Sequence, residues 1–145
     1  ETIIIKKALY KNGKYFLSND ADESNIFSAD QLSGEEVEGI CFSDLVKEHE
    51  LSHVKYIKLN CEGCEFVILE DILEMNFDVD ELIIQFHQND EQRDSLLKRF
   101  LERGYNIYTH HRYENDNFVW WSIVKKHLKR TLDNPESNII KPFYP

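Results

Sequence analysis

The sequence predicts an α/β fold in which parallel strands are closed by an antiparallel pair. Three observations carry that expectation. Val54, Tyr56, Ile57 and Leu59 form a short β-prone run that turns at Gly63 into Phe66, Leu69, Ile72 and Leu73 at helical spacing. Glu81-Leu82-Ile83-Ile84-Gln85-Phe86-His87 is a compact apolar run ending in polar residues, the signature of a second buried parallel strand. Tyr105 to Thr109 and Phe118 to Val124 are strand-like, and the polar link between them is short enough to return the chain antiparallel.

Taken in order, Ile3 to Leu9 and Lys14 to Leu17 are β-prone runs joined across Asn12-Gly13, a strong hairpin signal. Ser18 to Glu38 is polar and acidic, with Ile26, Phe27 and Leu32 as anchors, and reads as a long surface loop. Ser43 is placed to cap a short helix, with Asp44 in its first turn and Leu45, Val46 and His49 on one face. The central strand, turn and helix follow, then the second parallel strand. Asn89 or Asp90 caps a helix with Leu96, Leu97, Phe100 and Leu101 inward, Glu91, Arg93, Lys98 and Arg99 solvated, and Gly104 as terminator. The stretch from His127 to Pro145 holds all the prolines, lacks periodicity and reads as a surface tail.

Composition narrows the function classes. At 145 residues, 41% hydrophobic and 30% charged, the chain is large enough for one domain with its own core. No apolar run approaches the ~20 residues that span a bilayer. A formal charge of −10 opposes both nucleic-acid binding and docking to an anionic membrane, so neither partner is expected. Three cysteines are odd in number and too few for a disulfide framework, which suits a reducing compartment and a cytoplasmic location. The opening Glu1-Thr2-Ile3 has neither an initiator Met nor a basic, apolar leader, so the expectation is a segment of a longer chain without a signal peptide.

In open α/β sheets ligands bind beyond the carboxyl ends of the strands, which directs attention to Asn60 through Glu65. Cys61-Glu62-Gly63-Cys64 is a CxxC between strand and helix, a context for dithiol chemistry. Two small half-buried residues at a turn explain it more cheaply, and no proline lies near the later strands to complete a thioredoxin-like site. A structural zinc would need about four ligands, and Cys41 with scattered histidines gives no such spacing; no metal site is expected. Glu62 and Glu65 open a helix whose dipole favours negative charge whatever the function. At the end of a central strand Glu62 can also serve as a base or hold a hydroxyl, whereas Glu65 reads as structural. His87 ends the second parallel strand at the same edge and can reach the same crevice. His110-His111-Arg112 and Trp120-Trp121 are explained by a polar hairpin tip and an alternating strand.

Lys58-Leu59-Asn60-Cys61-Glu62-Gly63-Cys64-Glu65, followed by Val67-Ile68-Leu69, resembles the K-I-D-x-E-G-x-E-x-x-x-L signature of FkbM-type S-adenosylmethionine-dependent methyltransferases. Ala8-Leu9 before the Asn12-Gly13 turn, Phe42-Ser43-Asp44-Leu45, Leu82 to His87 and Gly104-Tyr105 are similar to further segments of that family. The resemblance covers about residues 3 to 125.

The resemblance implies part of a Rossmann-like class I methyltransferase sheet, with residues 1–126 as the C-terminal part of the domain and 127–145 as the tail. It implies S-adenosylmethionine as cofactor, with Lys7 and Ala8 lining the adenine side and Asn60 orienting cofactor or substrate. It implies methyl transfer to a hydroxyl oxygen of a small molecule or sugar, with Glu62 or His87 as base. The family's glycine-rich loop would lie upstream of Glu1. Two positions depart from the pattern: the family's aspartate is Asn60 and the glutamate before its histidine is Gln85. Neutral amides make metal-assisted chemistry less attractive but keep hydrogen-bonding capacity. The same departures suit an alternative, a methyltransferase-like module that binds or assembles without catalysing; a CxxC dithiol oxidoreductase is the third reading. A sheet without its first strands would expose an edge, and a homodimer is the expected consequence.

Overall fold

The structure, a computed structural model, describes residues 2–17, 26–28, 35–61, 63–87, 90–111, 119–128 and 139–142. Its contacts divide the chain into two compact units, Glu1–Glu50 and Leu51–Pro145.

The first unit is a small sheet and one helix: β1 (Ala8–Leu9), β2 (Gly13–Leu17), β3 (Ile26–Ser28), β4 (Glu35–Ile40) and α1 (Phe42–Glu48). The strand order is β1-β4-β2-β3, with β1 parallel to β4 and the other pairs antiparallel. The expected hairpin between the first two runs is not formed. β4 lies between them, and Gly39 pairs with Ala8 on one side and Gly13 on the other. The stretch read as a surface loop therefore supplies two strands. Its Glu-rich composition hid them, since glutamate is depleted in strands and only Val37 and Ile40 mark β4 as apolar. Ile3 and Ile4, expected in the first strand, are exposed and unpaired with any strand.

α1 starts before Ser43. Its N-cap is Cys41, whose side chain makes no cap bond. The cap comes instead from Asn12: its Oδ1 accepts the Cys41 N–H at 3.0 Å, and its Nδ2 donates to Asp44 Oδ2 at 2.6 Å. That bond, with Lys47 beside it, holds the Asp44 carboxyl below its ordinary value. The Asn12-Gly13 pair thus docks a helix rather than turning a two-stranded hairpin.

The second unit contains β5 (His53–Leu59), α2 (Glu65–Glu74), β6 (Asp78–Gln85), α3 (Asp90–Glu102), β7 (Tyr105–His111), β8 (Val119–Lys125) and β9 (Ile139–Pro142). The sheet order is β5-β6-β8-β7-β9. β5 and β6 are parallel, and β8 runs antiparallel to both β6 and β7 between them. The parallel pair and the antiparallel closure stand as the sequence indicates. β9 is the departure, because it adds an antiparallel strand beside β7 from within the stretch read as a tail.

Leu82 and Ile84 pair with Ile123 and Trp121, and Ile107 pairs with Ile123, so these side chains share one face. α3 covers that face, with Arg93 5.1 Å over the Trp121 ring. Ile83, Gln85 and Ser122 on the opposite face are buried as well, which is why β6 reads as an unbroken apolar run. Phe66, Leu69, Ile72 and Leu73 of α2 and Leu96, Leu97 and Phe100 of α3 are all buried. Each contributes roughly 1.5–3 kcal/mol by leaving water. Gly104 has φ +85° and ends α3 in the left-handed region a side chain avoids. Arg93 and Arg99, expected to be solvated, are engaged: Arg93 pairs with Asp90 and Asp94, and Arg99 with Glu70 of α2.

Candidate functional site at the carboxyl edge of the second sheet

β5 and β6 are in parallel register, Leu59 opposite Ile84, so both strands deliver their carboxyl ends to one edge. Asn60 follows β5 there and is exposed; His87 follows β6 two residues after Gln85. Gly63 and Cys64 turn the chain into α2. Gly63 adopts φ +106°, and the Cys64 N–H donates to the Cys61 carbonyl at 3.2 Å. Cys61 and Cys64, read from the sequence as packed thiols, are joined by a disulfide.

Glu65 is the residue that the sequence undervalued. It begins α2, as a first-turn acid should, yet its side chain has no exposed surface. Burial of a carboxylate is tolerated only where donors replace water. Two are present: the Gly63 N–H reaches Oε2 at 2.6 Å, and His87 Nδ1 lies 2.5 Å from Oε1. The His87 side chain is 18% exposed. The structure therefore joins His87, a predicted site residue, to Glu65, which was read as structural. The signal available in the sequence was the three-residue spacing of Glu62 and Glu65 across a glycine, which also fits a helix-dipole explanation. Glu62 itself lies outside the described residues.

An aromatic platform borders the same edge. Gln85 is buried and pairs with Trp120 of β8, and Lys58 Nζ lies 5.2 Å over the Trp120 ring. Trp121, on the opposite face, is buried with Phe86 edge-on to it. The two tryptophans thus divide as an alternating strand requires.

Lys7 and Ala8 belong to the first unit. Lys7 Nζ pairs with Glu48 at 3.2 Å and Glu38 at 3.8 Å, and the hydrogen bond to Glu48 is the main cause of its raised pKa. It borders a cavity of about 660 Å³ with Asn12, Lys14, Glu38, Asp44 and Glu48. Ala8 is buried where β1 meets β4.

No helix among the described residues is long and apolar enough to cross a membrane. No curated protein and no solved structure matches the chain. A family model does: the methyltransferase FkbM domain matches residues 2–107, well over half of the sequence, and spans β5, α2 and β6, the elements beside which Asn60, Glu65 and His87 lie. The chain belongs to the FkbM methyltransferase family.

Proposed function

We propose that the chain carries the acceptor side of an S-adenosylmethionine-dependent methyltransferase acting on a hydroxyl oxygen of a small molecule or sugar. The observation that carries the reading is the Glu65–His87 pair at the carboxyl edge of the parallel strands, in a chain of this family. The antiparallel strand β8 between β6 and β7 supports a class I methyltransferase sheet, to which β9 adds a further strand beside β7. The reducing cytoplasm is the compartment that fits.

Methylation of a hydroxyl requires its proton to be removed as the oxygen approaches the donor. With Nδ1 directed at a buried carboxylate, His87 keeps its proton there and carries the lone pair on Nε2, the tautomer of a general base. Glu65 positions that ring and offsets the positive charge the imidazole gains on taking the proton. Glu62 is the second candidate base. S-adenosylmethionine, when bound, supplies an electrophilic methyl group. The exposed Asn60 amide fits the amino and carboxylate groups at the methionine end of that molecule, because it both donates and accepts hydrogen bonds. Lys7 and Ala8 would line the adenine side.

Two measurements test this. Titration calorimetry with S-adenosylhomocysteine is expected to show saturable binding, and absence of heat at millimolar ligand would overturn the reading. His87→Ala is expected to lower kcat by about 10²–10⁴ in a methyl-transfer assay, the range of a general base. Unchanged kcat would remove His87 from the mechanism.

A second reading, a module of the same fold that binds or assembles without catalysing, is favoured by the amides at Asn60 and Gln85. Detectable S-adenosylhomocysteine binding with no transfer to any hydroxyl acceptor would select it. Self-association accompanies either reading. Among the described residues β5 pairs on one edge only, with β6, and such an edge suits a second chain.

A further inference from the structure

We infer that Cys61 and Cys64 are a reversible thiol–disulfide pair that controls the Glu65–His87 geometry, so that the oxidation state of the turn regulates the site. Only the effect on methyl transfer rests on the function proposed above; the redox chemistry and its effect on His87 stand without it.

Two observations converge. The two sulfurs are bonded across a four-residue turn, with Cα atoms 5.6 Å apart. A link between residues so close in sequence constrains the unfolded chain far less than one closing a long loop, so stability is a weak account of it. In the reducing compartment that the cysteine usage suggests, such disulfides are transient, catalytic or sensing rather than structural. Second, the turn is wired to the site. Gly63, between the two cysteines, donates to Glu65 Oε2 at 2.6 Å, and Glu65 Oε1 lies 2.5 Å from His87 Nδ1. Glu65 has no exposed surface, so a shift of the Gly63 amide cannot be absorbed by water and passes to the imidazole.

Exposure differs between the sulfurs' residues: Cys61 is half-buried and Cys64 is 8% exposed. A small-molecule thiolate of the glutathione class attacks Cys61 Sγ. The S–S bond breaks, and its electron pair leaves on Cys64 Sγ. The α2 N-terminus stabilises that thiolate, while the neighbouring Glu65 charge opposes it. A second small-molecule thiolate attacks the outer sulfur of the mixed disulfide, freeing Cys61 and departing as the small-molecule disulfide. Two electrons and two protons enter the protein, and two small thiols become one disulfide.

The test equilibrates the protein in glutathione buffers from fully reducing to fully oxidising. Thiols are trapped by alkylation and counted by mass spectrometry, and the imidazole nitrogen shifts of His87 are recorded at both extremes. Disulfide and dithiol are expected to interconvert within the buffer range, with Cys41 alkylated throughout. The His87 Nδ1 and Nε2 resonances are expected to differ between the two states, and to stay at one position at every ratio in Cys64→Ser. A bond that resists all buffers, a dithiol that persists under oxidised glutathione, or identical His87 resonances in both states would overturn the inference. If Cys64→Ser does not fold, the two end states of the wild-type protein decide it alone. Methyl transfer is then expected to change roughly tenfold or more between states, as small misplacements of a base do. Equal rates beside shifted His87 resonances would sink regulation; absence of transfer and of cofactor binding in both states would sink the proposed function and leave the redox pair standing.

Discussion

A carboxylate with no exposed surface is tolerated only if donors replace its water, and Glu65 has the Gly63 amide on one oxygen and His87 on the other. Glu65→Gln preserves size but replaces an acceptor by an amide that can donate to Nδ1, which would move the ring proton to Nε2 and disable the base. The expected result is a kcat loss of about 10²–10⁴ with S-adenosylhomocysteine affinity unchanged. A loss confined to KM would show instead that Glu65 serves binding. Two glycines separate torsional from steric cost at the same scale. At Gly63, φ is +106° and an added Cβ meets nothing within 4 Å. Gly63→Ala should therefore cost only the left-handed penalty, about 1–2 kcal/mol. At Gly39 an added Cβ would fall 2.3 Å from the Lys11 carbonyl oxygen and 2.3 Å from the Tyr15 ring. A backbone oxygen cannot rotate away, so Gly39→Ala should cost ~3 kcal/mol or more. Urea unfolding measures both, and the reverse order would contradict these placements.

At the scale of elements, the amino ends of β5 and β6 are pinned by charge. His53 Nε2 lies 3.0 Å from Asp80 Oδ1, and Lys125 of β8 reaches the same oxygen at 3.0 Å as well as pairing with Asp78. The hydrogen bond from His53, then that from Lys125, holds the Asp80 pKa below its ordinary 3.8. Asp80 thus contributes stability that is fully present above that value and is lost as pH falls through the lower folded-state pKa. Burial pushes the Lys125 ammonium down, but the two aspartates outweigh it and leave its pKa raised. Its contribution is present below 10.5 and is lost as pH rises through the folded-state value. Because these groups are partly exposed, Asp80→Asn should cost roughly 0.2–1 kcal/mol near neutral pH. Chemical denaturation from pH 6 down to pH 2 should show the wild type losing that advantage; a gap that is constant with pH would rule out the ion pairs as its source. Most elements legible in the sequence, α2, β6, α3, β7 and β8, take their periodicity from burial; β5, of which only Leu59 is buried, and β2 were legible from β-prone residues, and α1 from its polar first turn. β4 was missed because acidic residues separate its few apolar ones, β3 because an adjacent Ile26-Phe27 pair is too short to show alternation, and β9 because it lies among prolines and lacks alternation. Within the site, the strand edge and His87 were legible from position alone. The Glu65–His87 bond was not, since a first-turn glutamate has a sufficient local explanation and the contact spans 22 residues of sequence.

For the whole molecule, charge and sheet edge act against each other. Each chain carries −10, so two chains repel at long range, and the repulsion is strong only where salt is low, since the Debye length falls from about 30 Å at 0.01 M to about 8 Å at 0.15 M. β5 presents an edge without a partner among the described residues and bears Tyr56 at 41% exposure, which favours association at short range. Lys55 and Lys58 lie on the same strand, and lysine on an edge strand hinders pairing. The balance predicts a chain that is monomeric in low salt and associates as ionic strength rises, the reverse of assembly held by ion pairs. Sedimentation velocity across that salt range measures it. Tyr56→Lys, which places a further charge on the exposed edge, is expected to abolish the salt-induced dimer while leaving the melting temperature within a few degrees. Dimers that weaken with salt, or that persist unchanged in Tyr56→Lys, would show that β5 is not the associating edge.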